Sequence, residues 1–377
     1  MHTTDQLSHR AVAEIDLEAL RLNYRQLKRL ASHAEMMVVV KADAYGHGAV
    51  AVSRALAAEG CSHFGVATVS EARELRAAGN RDRIYLLGGF FADDAREIVA
   101  LDLTPFVFDR ESIHAIGAAA AALGRRDFPV HLKLDTGATR LGVRLDELAG
   151  AIEQLRREPS LALEGTGTLL ASAHDPASPV TDRQLAEFGE ALHRLAAAGF
   201  APPVNHVANS AALVMRADAH RNLVRPGLAI YGLPPVPAVA ERVALRPVMT
   251  FKTRLLQTKR VGAGAGVSYG HTFVTQHPST IGVVAVGYAD GYRRGLQHGG
   301  EVLIRGRRAP VVGAVCMDLT MVDLTGVPDA RAGDEVILWG VSGGETISVN
   351  DVARLAQTIS YEMLCTVGRR VARVYRN

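Results

Sequence analysis

Short apolar runs alternate with helical patterns over roughly the first two thirds of the chain. The runs fall at 36–40, 64–66, 84–87, 104–108, 130–134, 161–163, 204–207 and 223–224, with the sixth able to extend toward Leu170. Each is bounded by polar or glycine-containing segments and is too brief for a helix, so each predicts a buried strand. Between them, apolar residues recur at helical spacing at 50–59, 71–78, 94–100, 111–123, 145–156, 182–198 and 210–216. An earlier helix is marked by Leu17, Leu20, Tyr24, Leu27 and Leu30, with Asp16 placed to cap it. Ser70 and Asp109 read as helix starts, and Gly60, Gly79 and Gly199 as helix ends.

Strand–helix alternation predicts a parallel sheet. Eight units completed by about residue 235 suit a (β/α)8 TIM barrel better than an open sheet. Prolines cluster at 233–247, where the pattern changes. Beyond them come short β-like runs at 249–258, 280–286, 301–304, 311–315, 321–324 and 335–338, with a helix at 349–357. The expectation is therefore an α/β chain: a barrel over 1–240 and a mainly β domain over 241–377. The segment GAGAG at 262–266 lacks the spacing of a dinucleotide fingerprint and reads as a loop.

Composition narrows the function classes. The 377 residues are 48% hydrophobic and 21% charged, as in an ordinary globular protein. A net charge of +3 without Lys/Arg blocks gives no reason to expect a nucleic-acid partner. Cys61, Cys316 and Cys365 are odd in number and far apart, so neither a disulfide framework nor a cysteine-based metal site is expected. No apolar run is long enough to span a bilayer, and the opening MHTTDQLSHR lacks the apolar centre of a signal peptide. A cytoplasmic protein without membrane partners is expected.

Barrel chemistry belongs just after the strands. There the chain carries Lys41 and Tyr45, then Lys133 and Asp135, then His206, Asn209 and Ser210, and finally Arg225. Lys41 ends a buried run, where desolvation can lower its pKa and let its amine attack a carbonyl. Ser210 opens a helix and Gly227 leaves backbone amides uncovered, a pairing suited to phosphate. A lysine facing a phosphate site suggests pyridoxal 5'-phosphate held as a Schiff base. Arg225 can donate a hydrogen bond to a pyridine nitrogen but cannot protonate it, which limits the ring as an electron sink. Arg140, in KLDTGATRLGV, suits a carboxylate. Tyr269 lies between glycines in GVSYGHTF, where a turn residue and an acid–base group are both open readings. Taken singly, each of these residues also fits a commonplace role as a solvated charge, a helix cap or a turn.

Together the motifs are specific. VVVKADAYGHG, KLDTGATRLGV, HVANSAA, VRPGLAIYG, VSYGHTF, VGYADGYRR, VCMD and YEMLC stand in one order along nearly the whole chain. In this the chain resembles the alanine racemases, barrel-type (fold III) pyridoxal phosphate enzymes of bacteria. The resemblance implies that Lys41 carries the cofactor and moves the α proton on the D side. It implies that Tyr269, from the other subunit of a head-to-tail homodimer, does so on the L side. Tyr45, Ser210, Gly227, Leu228 and Tyr361 would hold the phosphate, Arg225 would face the pyridine nitrogen, and His206 would support Arg225. Asn209 would stand with the cofactor-binding residues. Arg140 and the backbone of Met317 from the partner chain would bind the substrate carboxylate. Lys133 matches a lysine often carbamylated and then paired with the arginine matching Arg140. Asp318 completes the Met-Asp pair, and Tyr288 and Arg294 match residues lining the substrate entrance. The implied function is interconversion of L- and D-alanine, supplying D-alanine for peptidoglycan.

There are departures from the family pattern. Leu169 stands where a histidine usually links the catalytic tyrosine to the pyridine-facing arginine. Ala138 replaces a methionine, His174 an acidic residue at the entrance, and Ala314 an arginine. Altered rate or substrate range, rather than loss of activity, is the expectation. A broader-specificity racemase of the same fold is one alternative. A fold III decarboxylase would need an acidic residue where Arg225 stands. A non-catalytic cofactor-binding protein would lack the β domain.

Overall fold

The structure is a computed structural model that describes residues 10–175 and 177–377. The signal-peptide reading of residues 1–9 lies outside them. The chain divides into two compact units. One comprises Leu20–Ala44 and Ala49–Arg246; the other comprises the described residues up to Ala19, Tyr45–Gly48 and Pro247–Asn377.

In the first unit, eight parallel strands form one sheet: Glu35–Val39, His63–Val66, Arg83–Leu86, Thr104–Val107, Phe128–Lys133, Leu161–Gly167, Val204–His206 and Leu223–Val224. Glu35 pairs with Leu223, so the first strand meets the last. At the remaining seam, the Asn222 amide donates to Asn205 O at 3.3 Å. The Asn205 amide donates in turn to Asn222 Oδ1 at 2.6 Å. The result is the expected, nearly closed (β/α)8 barrel. Its short strands are apolar because both faces are covered, one by helices and one by the barrel interior. The Thr104–Val107 strand is buried throughout.

Helix boundaries follow the predicted pattern within a few residues. Asp109 caps its helix as expected, accepting from the Ser112 amide at 2.7 Å. The expected start at Ser70 is corrected to Thr68, which forms a capping box with Glu71. Thr68 precedes the first apolar helical residue, Val69, and so its hydroxyl meets the free amide of Glu71.

The second unit is built on a nine-stranded, mainly antiparallel sheet, with Met249–Val261 as its longest strand. Phe251 and Trp339 pack at 4.6 Å within it. The expected domain limits of 1–240 and 241–377 are corrected in two places. Ala11–Asp16 is a strand that pairs antiparallel with Met249–Val261 and parallel with Ala372–Arg376. The segment Tyr45–Gly48 also belongs here: a side chain at Gly46 would overlap Leu364 O, and one at Gly48 would overlap the Tyr375 hydroxyl. The strand expected at 311–315 forms instead at Arg307–Pro310, paired with Glu301–Ile304.

Candidate active site

Lys41 follows the first barrel strand, but the chain beyond it is not the glycine loop expected. The Ala44 amide donates to Val40 O at 2.8 Å, closing a helical turn over Lys41–Gly46. Ala42, Asp43, Ala44 and Tyr45 have φ of 53°, 52°, 53° and 53°, and Gly46 has 79°. The turn is therefore left-handed and made mainly of non-glycine residues. Such geometry costs roughly 1–2 kcal/mol per L-residue and persists only where surroundings impose it. Here the Ala42 amide donates to Glu71 Oε1 at 2.7 Å. The Ala49 amide donates to Asp43 Oδ1, also at 2.7 Å.

The Phe128–Lys133 strand brings Lys133 to the same end of the barrel. Its ammonium donates to Leu134 O at 3.4 Å and is buried. Burial, then the charges of Arg225 and Arg140, push its pKa down to about 7 against the opposing pull of Asp135. Asp135 organises the loop that follows. Its Oδ1 accepts the amides of Gly137, Ala138 and Thr139 at 3.0, 2.9 and 3.0 Å, and its Oδ2 accepts that of Arg140 at 3.1 Å. Burial raises its pKa, and these amides more than offset that, so the carboxyl sits below its usual range. Arg140 is itself exposed.

Arg225 follows the last strand. Its Nη1 donates to His206 Nδ1 and to His206 O, each at 2.7 Å. Its Nη2 donates to Thr168 O at 2.6 Å. Burial lowers its pKa to about 10, which leaves it cationic at neutral pH. Leu169 follows the carbonyl that Arg225 uses. Its own carbonyl accepts from Gln184 Nε2 at 2.8 Å, and Gln184 also donates to Thr136. Asn209 caps the short helix Ser210–Met215 by accepting from the Ala211 and Ala212 amides. Ser210 Oγ accepts from the amides of Gly227 at 2.9 Å and Ala229 at 3.3 Å. The Gly227 amide expected to lie open to an anion is thus already taken by Ser210. Leu228 begins the buried turn Leu228–Tyr231.

The donor set at this mouth suits an anionic cofactor. Lys133, Arg140 and Arg225 gather positive charge, while the nearby carboxylate of Asp135 is occupied by four amides.

The second unit carries the remaining predicted residues. Tyr45 and Tyr361 pack at 5.8 Å, and Tyr45 is buried. Tyr269 is 76% exposed. It follows Ser268, whose hydroxyl donates to Ala314 O at 2.7 Å and lies 3.4 Å from Cys316 Sγ. Tyr269 is thus brought near the Cys316–Met317 loop. The Tyr288 amide donates to Cys316 O and the Ala289 amide to Met317 O. Met317 and Tyr288 are exposed. Asp318 accepts from Arg370 Nη2 at 2.7 Å. Arg370 Nε also donates to the buried Asp290, at 2.6 Å. Arg294 is exposed on the turn Arg294–Gln297. A separate groove of about 670 Å³, lined by Thr68, Arg73, Phe90, Phe91 and Phe108 among others, includes none of the predicted site residues.

Sequence reasoning passed over His131, Glu164, Glu71, Gln184 and Arg370. His131 carried a signal: it lies two residues before Lys133 on one strand, and that period puts both on one face. No group of three or more His, Cys, Asp or Glu suited to a metal ion occurs among the described residues. None of the helices there is long and apolar enough to cross a membrane.

The family model for the alanine racemase N-terminal domain matches residues 15–235, and that for the alanine racemase C-terminal domain matches 248–375. The alanine racemase of Symbiobacterium thermophilum is 44% identical, covering 96% of each chain. The alanine racemase structure from Streptomyces coelicolor superposes with a TM-score of 0.94 at 38% identity, covering 99% of this chain and 100% of that one. An alanine racemase from Bartonella henselae, solved with covalently bound pyridoxal phosphate, superposes with a TM-score of 0.88 at 31% identity, covering 97% of this chain and 99% of that one. With both domain models matched in order and relatives this similar over nearly the full length, the chain belongs to the alanine racemase family.

Proposed function

We propose that this protein interconverts L- and D-alanine, using pyridoxal 5'-phosphate, and so supplies D-alanine for peptidoglycan. The observation that carries the reading is the barrel mouth itself. Lys41 follows one strand there, and the buried His206 and Arg225, 2.7 Å apart, stand at the ends of two others. The cofactor, when bound, draws electron density from the α carbon and so makes its proton removable. Lys41 holds the cofactor and moves the proton on one face. Tyr269 of the partner subunit moves it on the other, and its exposure in a single chain suits that role. Two bases are needed because one alone tends to return the proton to the face it left.

Ser210, Gly227, Leu228, Tyr45 and Tyr361 hold the phosphate, with Asn209 fixing the Ser210 turn. Arg225 faces the pyridine nitrogen, supported by His206. Arg140 and the backbone of Met317 of the partner subunit orient the substrate carboxylate. Lys133, neutral in part near pH 7, is chemically able to accept carbon dioxide as a carbamate. Asp318 steadies the Met317 loop, and Tyr288 and Arg294 line the entrance. The working unit is a homodimer with shared sites. All three cysteines are free, which fits a reducing cytoplasm.

The test is direct. Purified protein with pyridoxal 5'-phosphate is given L-alanine, and the enantiomers are separated by chiral chromatography. D-alanine should accumulate toward an equal mixture, and borohydride reduction should leave the cofactor on the Lys41 peptide. Tyr269→Phe should lose most α-proton exchange from L-alanine while the protein stays yellow. No racemisation by the parent protein ends this reading.

A further inference from the structure

A line of polar side chains, fully buried at its two histidines and part-buried at its carboxylate end, crosses the barrel interior below Arg225. His206 Nδ1 accepts from Arg225 Nη1 at 2.7 Å. His206 Nε2 lies 2.8 Å from His131 Nδ1. His131 Nε2 lies 3.2 Å from Glu164 Oε2, and Glu164 pairs with Arg83 at the start of the Arg83–Leu86 strand. Both imidazoles are wholly buried.

We propose that Glu164 is a positioning residue for Arg225, acting through two neutral histidines held in one tautomer. The proposal rests on the reading that Arg225 faces the cofactor.

The two ends of the line fix its direction. A guanidinium only donates and a carboxylate only accepts. His206 must therefore accept at Nδ1 and carry its proton on Nε2. That proton is donated to His131 Nδ1, so His131 carries its own proton on Nε2 and donates it to Glu164. An imidazolium at either place would set two N–H groups against each other. Burial disfavours the charged form of both rings in any case.

The space is built for these rings. Gly165 and Gly167, alternate residues of the Leu161–Gly167 strand, pair with His131 and His206 in register. A side chain at Gly165 would overlap the His131 ring, and one at Gly167 the His206 ring. Phe106 meets both rings nearly edge-on, at 5.6 Å and 5.0 Å between centroids, and Tyr85 meets His131 at 5.2 Å. The rings cannot swing freely, so proton placement is the remaining freedom.

Removing the carboxylate leaves the His131 Nε2–H buried without an acceptor. Its remedy is to carry the proton on Nδ1 instead. His206 must then shift its own proton from Nε2 to Nδ1, where it meets the Arg225 N–H. The guanidinium loses an acceptor and turns. Glu164 prevents this from the far side of the barrel.

The test uses the full-length protein labelled with 15N-histidine, with and without pyridoxal 5'-phosphate. Imidazole 15N resonances report which ring nitrogen holds the proton. In the parent protein both histidines should be protonated at Nε2 alone. In Glu164→Leu, a resolved fraction of His206 should be protonated at Nδ1, and the bound cofactor's absorption maximum should shift. Turnover should fall about tenfold, the worth of one hydrogen bond, with KM nearly unchanged. Glu164→Gln keeps an acceptor and should restore the tautomers and most of the rate. If the leucine variant does not fold, His131→Phe breaks the same line between flanking aromatic rings and should give the same His206 shift. Nδ1 protonation of His206 in the parent, or parent-like tautomers and absorption in the broken-line variant, overturns the proposal. The tautomer measurement does not need the cofactor, so a failure to bind pyridoxal 5'-phosphate counts against the proposed function alone.

Discussion

The Glu71 carboxylate accepts the Ala42 amide at 2.7 Å and so grips the backbone directly after Lys41. Its second oxygen accepts from the amides of Ala67 at 2.7 Å and Thr68 at 3.2 Å. One helix-capping residue thus ties the left-handed turn to the neighbouring strand end. Hydrogen bonds to a charged group are worth about 1.5–3 kcal/mol each, less where exposed. Glu71→Ala should lower the unfolding free energy by about 2 kcal/mol in urea titration. It should also reduce kcat, whereas Glu74→Ala on the same helix should do neither. Equal turnover in the two variants would detach Glu71 from Lys41.

Ala42 is exposed and has φ of 53°. An L-residue there costs roughly 1–2 kcal/mol, and glycine removes this strain while losing about 0.5–1 kcal/mol of chain entropy. Ala42→Gly should therefore raise the melting temperature slightly, and Ala42→Val should lower it. Thermal unfolding of the two variants side by side checks the sign. A right-handed turn would reverse the response to glycine.

Lys133 has a folded pKa of about 7 against an ordinary value of 10.5. Below about 7 both folded and unfolded chains hold the proton, and the buried charge weighs fully against folding. Between about 7 and 10.5 the folded chain has released a proton that the unfolded chain keeps, so this residue makes stability rise with pH. Lys133→Met should flatten that rise in urea titrations across the window. A carbamate needs the neutral amine, so 13C-bicarbonate should label Lys133 increasingly as pH passes neutrality. An unlabelled lysine at alkaline pH would leave Arg140 without that partner.

The Leu169 side chain cannot hydrogen bond, while the backbone around it is held by Gln184 and Arg225, which donate to the carbonyls of Leu169 and Thr168. Leu169→His should fit without moving Arg225. If a histidine link to Tyr269 contributes, turnover should rise by up to about tenfold, the scale of one hydrogen bond. An unchanged rate means that the four acceptors Arg225 already has, His206 Nδ1 and the carbonyls of His206, Thr168 and Val207, are sufficient.

Local patterning determined a good deal of this protein. The eight barrel strands lie where short apolar runs end in polar residues, because a strand buried on both faces needs unbroken apolar sequence. That layout, with the rule that barrel chemistry follows the strands, was enough to bring Lys41, Lys133, His206 and Arg225 to one mouth. Three things needed the tertiary structure. The left-handed turn after Lys41 runs against the preference of its own residues, and Glu71 and Asp43 hold amides around it. The Ala11–Asp16 strand lies far along the chain from Met249–Val261, and sequence spacing carries no record of that pairing. The line from Arg225 to Glu164 joins four strand segments through side chains, with Gly165 and Gly167 leaving the space. Periodicity marks which face of an element is buried, whereas hydrogen-bond partners between distant strands are set only once the barrel closes.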